Sequence, residues 1–129
     1  VDMITDLIAA FRLASDIDIS IHFGNIPKNF DNQTDLAVFR FIQEGMTNAF
    51  RHGMATKISI NFWISSDYLR VSIEDNGIGA DPEMIVEGVG LMGMRERIEA
   101  LGGYLKREDI SYGFRIVAYI PISMNVIED

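Results

Sequence analysis

The spacing of hydrophobic positions changes several times along this chain, and each change marks an element. Ile4, Leu7, Ile8 and Phe11 form a stripe between Val1 and about Ala14, with Asp2, Asp6 and Arg12 off it, which predicts an amphipathic helix. Ile17, Ile19, Ile21 and Phe23 then alternate with Asp18, Ser20 and His22, the period of a half-buried strand, so His22 is expected to point away from the core. Gly24 to Asn32, with Pro27, reads as a loop leading to Asn32 or Thr34 as N-cap of a long helix. That helix covers Asp35 to Gly53. At 100° per residue, Val38, Phe39, Ile42, Met46, Ala49, Phe50 and Gly53 share an arc of about 120°, the expected core side. Glu44, Asn48 and His52 follow one another at four-residue spacing along one border, and Arg51 lies three residues after Asn48.

Two strands come next. Ile58, Ile60, Phe62 and Ile64 alternate with Lys57, Ser59, Asn61 and Trp63; Ser65 to Asp67 turns the chain; Leu69, Val71 and Ile73 follow. So tight a connection predicts an antiparallel hairpin. Ala80 to Glu87 carries neither period and reads as mobile. A third helix opens at Gly88 to Gly93, with Leu91, Met94, Ile98 and Leu101 on its core side and Gly102-Gly103 as its C-cap. Tyr104 to Arg107 and Phe114 to Ile122 are expected to finish the chain as strands, with a turn near Ser111 to Gly113. Five strands and three amphipathic helices predict an α+β, two-layer α/β sandwich, a mixed sheet with the helices on one face.

At 129 residues and 48% hydrophobic content the chain is long enough for one domain with one core. A formal charge of −8 disfavours nucleic acid and anionic lipid as partners, so any phosphate site must be made locally. The absence of cysteine excludes disulfides and thiolate metal sites. No apolar run approaches the roughly 20 residues of a membrane span, and no direct membrane contact is expected. The chain begins at Val1 without an initiator Met, so it is expected to be cut from something longer, with the first helix as its link to an upstream segment.

Candidate chemistry lies in three stretches. On the long helix, a carboxylate (Glu44) and a carboxamide (Asn48) one turn apart suit a hard cation with its waters, and glycine such as Gly45 would let a ligand approach. Asp75-Asn76-Gly77-Ile78-Gly79 ends a strand. Taken alone it is ordinary turn chemistry, yet a buried Asp75 carboxylate would need donors, and an exocyclic adenine amino group supplies one and selects against guanine. Gly88, Gly90 and Gly93 match G-x-G-x-x-G. The dinucleotide reading fails because Asp81 to Glu87 is no buried strand, and the companion motifs of a protein kinase are missing. What remains is a helix start whose free N–H groups can face an anion.

Together, Glu44 with Asn48, Asp75-x-Gly77-x-Gly79, and Gly88-x-Gly90-Leu91-x-Gly93-Met94-Arg95-Glu96-Arg97 resemble the N, G1 and G2 boxes of the Bergerat-type ATPases. QEGMTNAFRH and GLMGMRERIEALGG are most similar to the sensor histidine kinases that signal to NarL-type response regulators, over roughly Ile17 to Ile122. The resemblance implies that ATP binds with Mg²⁺ on Asn48, that Glu44 positions a metal-bound water or acts as base, and that Asp75 reads adenine. It implies Arg51 and His52 near the phosphates, Gly77 and Gly79 beside the purine, and Gly88, Gly90, Leu91, Met92 and Gly93 as hinge and backbone cradle of a lid over residues 80–93. It further implies a cytoplasmic domain that passes the γ-phosphoryl group to a histidine on its own dimerisation domain, in a homodimer, within two-component signalling. Neither His22 nor His52 has the context of that acceptor, so this chain alone is not expected to phosphorylate itself. An anti-sigma-factor serine kinase and an inactive nucleotide-sensing module are the alternatives.

Overall fold

The computed structural model describes residues 2–27, 30–52, 56–77, 89–110 and 113–122. The elements run α1 (Asp2–Ala14), β1 (Asp18–Phe23), α2 (Asn32–His52), β2 (Lys57–Ser65), β3 (Tyr68–Asp75), α3 (Val89–Ala100), β4 (Tyr104–Ile110) and β5 (Gly113–Pro121). The strands form one mixed sheet in the order β1-β2-β3-β5-β4, with β1 parallel to β2 and every other pairing antiparallel. The expected two-layer α/β sandwich is the observed architecture.

Strand alternation decides which face is covered. Ile21, Ile60, Ile73 and Ile116 pair in one row, and Phe23, Phe62, Val71, Ala118 and Leu105 in the next. These rows face the three helices, and Ile60, Val71 and Ala118 are fully buried there, each stabilising the fold by up to about 2 kcal/mol relative to exposure. The opposite face is polar and aromatic: Arg70 lies over the Tyr119 ring, Tyr119 stacks on Tyr104 with ring centres 4.4 Å apart, and Arg115 bridges Glu74 and Glu108 at 2.6 and 2.8 Å. As expected, His22 is exposed. At the β1 edge, an Arg12 guanidinium N–H of α1 donates to the Ile19 carbonyl at 2.7 Å, which ties helix to strand.

The hairpin of β2 and β3 turns on Ser66 and Asp67, both left-handed (φ 53° and 65°), the geometry that lets two residues join twisted strands. α3 ends as its glycine pair predicts. Gly102 (φ 84°) donates to Glu99 O at 2.9 Å and Gly103 to Ile98 O at 3.0 Å, so two carbonyls that the helix leaves open are satisfied.

Three expectations change. The N-cap of α2 is Asp31, whose side chain accepts from Thr34 N at 2.7 Å while its carbonyl accepts from Asp35 N at 2.9 Å; a carboxylate outcompetes the amide and hydroxyl that follow it. The buried stripe of α2 is Thr34, Ala37, Val38, Phe41, Ile42, Gly45, Met46 and Ala49, turned by roughly 70° from the predicted arc at 100° per residue. Phe50 is half exposed and Phe39 only partly buried, whereas Phe41 is at the centre of the core. β4 continues past Arg107 to Ile110, because an edge strand is held by its backbone pairing with β5 and tolerates charged side chains.

Candidate functional site

The turn of the α2 stripe brings its polar border with it. Gly45 is buried, and a Cβ there would come within 2.3 Å of Ile73 Cδ1, so α2 packs directly on the Ile73 side chain of β3 at this level and a larger residue would have to displace its tip. Gly45 therefore serves the approach of helix to sheet, not of a ligand to the helix. From that contact both elements run toward the same end of the sheet. Asn48 lies about 4.5 Å further along the helix at 1.5 Å per residue, and Asp75 about 7 Å further along the strand at 3.4 Å per residue. Glu44 and Asn48 are half-buried on the flank beside Phe41, and among the described residues no hydrogen bond engages either side chain.

Asp75 closes β3 on the helix-facing side of the sheet, in register with Ile58, and is 8% exposed. Its Oδ1 accepts from Gly77 N at 2.9 Å. Burial raises its pKa above the ordinary carboxylate value; the Gly77 N–H opposes the rise and the neighbouring Glu74 adds to it. A carboxylate held in this state gains from any further donor, as the purine-amino reading requires.

The next residue does more than the turn reading assigned to it. Asn76 Oδ1 accepts from both Thr56 N and Lys57 N at 2.9 Å, its Nδ2 donates to Thr56 Oγ1 at 2.9 Å, and its own N–H donates to Lys57 O at 3.3 Å. On the other flank, a Cβ on Gly113 would lie 1.8 Å from the Asp75 carbonyl oxygen, so β5 starts hard against this turn. Asn76 and Gly113 were missed as site residues. The N-G spelling was a signal for the first, but for the second the sequence shows only one more turn glycine.

α3 lies beside α2 and covers β5 and β4. Gly90 and Leu91 fall in its first turn, where N–H groups have no helical partner, and Met92 and Gly93 follow in the next. Met92 is half exposed, and a Cβ at Gly93 would meet no atom of the described residues within 4 Å, so packing against those residues does not require glycine there. Arg51 and His52 occupy the last turn of α2; their side chains fall outside the described residues. Gly53, Gly79, Gly88 and the segment expected to be mobile, 80–87, lie outside them too. The arrangement thus brings Glu44, Asn48, Asp75 and Gly77 to one end of the sandwich, with the α3 start alongside.

Among the described residues no cluster of three or more His, Asp or Glu could hold a metal ion. Among the described residues, the Glu44 and Asn48 oxygens, which no hydrogen bond of those residues engages, could hold a divalent cation together with oxygens brought by a phosphate ligand.

A family model described as "Histidine kinase-, DNA gyrase B-, and HSP90-like ATPase" matches residues 33–124. Relatives include the signal transduction histidine-protein kinase/phosphatase UhpB of Salmonella typhimurium, 37% identical over 67% of this chain and 17% of its own length. The DegS histidine-protein kinase/phosphatase of Bacillus subtilis is 32% identical over 82% of this chain and 30% of its own. The chain therefore spans less than a third of either relative. Among solved structures, the catalytic domain of histidine kinase ThkA superposes with a TM-score of 0.77 at 20% identity, over 94% of this chain and 92% of that one, a likeness of fold.

Proposed function

We propose, from the premise that this chain belongs to the histidine kinase-, DNA gyrase B- and HSP90-like ATPase family, that it is the ATP-binding catalytic domain of a sensor histidine kinase. What supports the reading is the buried Asp75 carboxylate at the end of β3 toward which α2, with the Glu44–Asn48 edge that no hydrogen bond of the described residues engages, also runs. Asp75 accepts the adenine amino group, and Gly77 leaves room for the ring. Asn48 and the N–H groups of the α3 start at Gly90 to Gly93 hold the phosphates, with Arg51, His52, Gly79 and Gly88 contributing as the motifs imply. Mg²⁺ brought with the nucleotide would supply charge neutralisation on the phosphates, and Asn48 and Glu44 are the residues that would hold it.

The transfer itself is mainly a matter of position and charge. The bond from the γ-phosphorus to its bridging oxygen breaks as the bond to the acceptor imidazole nitrogen forms, ADP leaves with the electron pair, and no nucleophile from this domain is needed. The acceptor is a histidine on the dimerisation domain of the longer protein, a homodimer, and the phosphoryl group then passes to a NarL-type response regulator. The names of the relatives favour histidine over serine as acceptor. Dependence on ATP puts the domain on the cytoplasmic side, and none of its described helices is long and apolar enough to cross a membrane.

A thermal melt tests the site. Mg²⁺-ATP should raise the melting temperature of the parent, GTP should raise it much less, and Asn48→Ala and Asp75→Ala should each remove most of the ATP effect. If both variants bind ATP as the parent does, the assigned roles are wrong. Incubation with labelled ATP and a dimerisation-domain fragment tests the acceptor, and label stable to base but lost in acid is the expected phosphohistidine.

A further inference from the structure

We propose that Asn76 is a positioning residue that sets base selection in this pocket, by fastening the Asp75–Gly77 turn to the chain that leaves the helix carrying Asn48. The inference deepens the ATP-binding reading and rests on it. Three features of the geometry carry it. First, the orientation of the carboxamide is fixed by its partners: the N–H groups of Thr56 and Lys57 both need an acceptor, so Oδ1 faces them and Nδ2 is left to donate to Thr56 Oγ1. Secondly, Thr56 lies only four residues after His52, the last residue of α2, so the clamp joins the turn to the chain segment leaving that helix. Thirdly, the Asp75 side chain is buried, whereas that of Asn76, one residue past the end of β3, is exposed and engaged by Thr56 and Lys57. The residue that reads the base is thereby held by a neighbour that cannot touch the base.

The turn has further restraints: Asp75 pairs with Ile58 and Phe114, Gly77 N donates to Asp75 Oδ1, Asn76 N donates to Lys57 O at 3.3 Å, and Gly113 closely approaches the Asp75 carbonyl. The Gly113 contact blocks movement toward β5, and the carboxamide holds the turn from the β2 side. Without the clamp the turn beyond Asp75 is held on the β2 side only by the long Asn76 N–Lys57 O bond, and the Asp75 carboxylate is less firmly kept at the position at which it accepts from an adenine amino group. A misplaced acceptor costs adenine its advantage over guanine, while contacts to the phosphates from α2 and α3 survive.

The side chain of Asn76 is exposed, so its truncation leaves no cavity. Dissociation constants for Mg²⁺-ATP and Mg²⁺-GTP, with the ligand-free melting temperature, are to be measured for the parent, Asn76→Ala, Asn76→Asp and Thr56→Ala. In Asn76→Ala the ratio of GTP to ATP dissociation constants should fall roughly tenfold, the scale of one or two lost hydrogen bonds. Asn76→Asp keeps the acceptor for both N–H groups and should recover most of that ratio. Thr56→Ala loses only the Nδ2 bond and should stay near the parent. If Asn76→Ala lowers the melting temperature but keeps the parent's ratio, Asn76 is structural only and the proposal is overturned. It is also overturned if Asn76→Asp discriminates no better than Asn76→Ala. A parent that binds neither nucleotide breaks the ATP reading itself, a result distinct from either of these; one that binds both equally leaves ATP binding standing but removes the role of Asp75 in base selection and overturns the proposal with it.

Discussion

The two ends of the candidate pocket are built by opposite means. At the Asp75 end, the turn is held by Gly77 N on Asp75 Oδ1, by the Asn76 carboxamide on Thr56 and Lys57, and by the bare flank of Gly113. All but the first of these contacts join residues far apart in sequence. At the Asn48 end, two polar side chains project from a continuous helix, and no hydrogen bond from the described residues fixes them. The difference teaches that the Asp75 end, proposed to read the base, takes its shape from the fold, whereas the Asn48 end, proposed to hold the phosphates, offers groups that a ligand can arrange. Damage to the first should change which nucleotide binds, and damage to the second how tightly any nucleotide binds.

The largest effect is expected where the Asp75 end has least slack. Gly113→Ala puts a methyl group 1.8 Å from the Asp75 carbonyl oxygen and 2.8 Å from the carbonyl carbon, and backbone cannot rotate aside as a side chain can. Either β5 or the turn must shift, at a cost of about 1–3 kcal/mol for overpacking. Urea denaturation should show that loss, and the variant that remains folded should have lost its preference for ATP over GTP. A Gly113→Ala protein with the parent's stability and selectivity would remove the claim that the fold fixes this end.

A smaller and opposite effect comes from the carboxylate itself. Because burial raises the pKa of folded Asp75 above its unfolded value, the ionised form is penalised in the native state. As pH falls through the raised value toward the ordinary carboxylate value, the native state takes up the proton first, so this group makes the ligand-free domain more stable. An adenine amino group is held more strongly by the ionised form, so over the same window the ATP-induced shift should shrink. Asp75→Asn removes both trends. Its ligand-free melting temperature should equal or exceed the parent's at neutral pH, with the excess fading as pH falls. Melts of the two proteins across that window, with and without ATP, check the pair of signs, and subtracting the variant cancels titration of the phosphates.

What could be read in the sequence follows the same division. Local period was enough for five strands, three helices and the covered face, because alternation in β2 and β3 and the Gly102-Gly103 stop of α3 are short-range signals. Glu44, Asn48 and Asp75 could be singled out by residue type and spacing. The orientation of the α2 stripe could not, because its aromatic residues point two ways. Phe39 and Phe50 drew the arc toward themselves, whereas Phe41 is the buried one, and a buried glycine adds nothing to a hydrophobic count. Asn76 and Gly113 act through β2, β3 and β5 pairing partners, and that proximity exists only after the sheet has formed.

The smallest effect tests the junction of the two ends. Gly45→Ala places a methyl group against Ile73 Cδ1 at 2.3 Å, but the Cγ1 and Cγ2 atoms lie at 3.5 Å, an ordinary contact, so only the tip of Ile73 has to turn. An off-rotamer Ile73 costs about 0.5–1.5 kcal/mol, and alanine returns about 1 kcal/mol of helix propensity. The two nearly cancel, so denaturation should place this variant within about 1 kcal/mol of the parent. If Ile73 turns, α2 keeps its distance from β3 and nucleotide binding is unchanged. If Ile73 cannot turn, the helix lifts and carries Glu44 and Asn48 with it, while the Asn76 clamp still holds Asp75. ATP and GTP would then weaken together at a constant ratio, the reverse of the pattern expected for Asn76→Ala. A Gly45→Ala protein that binds normally but discriminates less would show that the two ends are not separable.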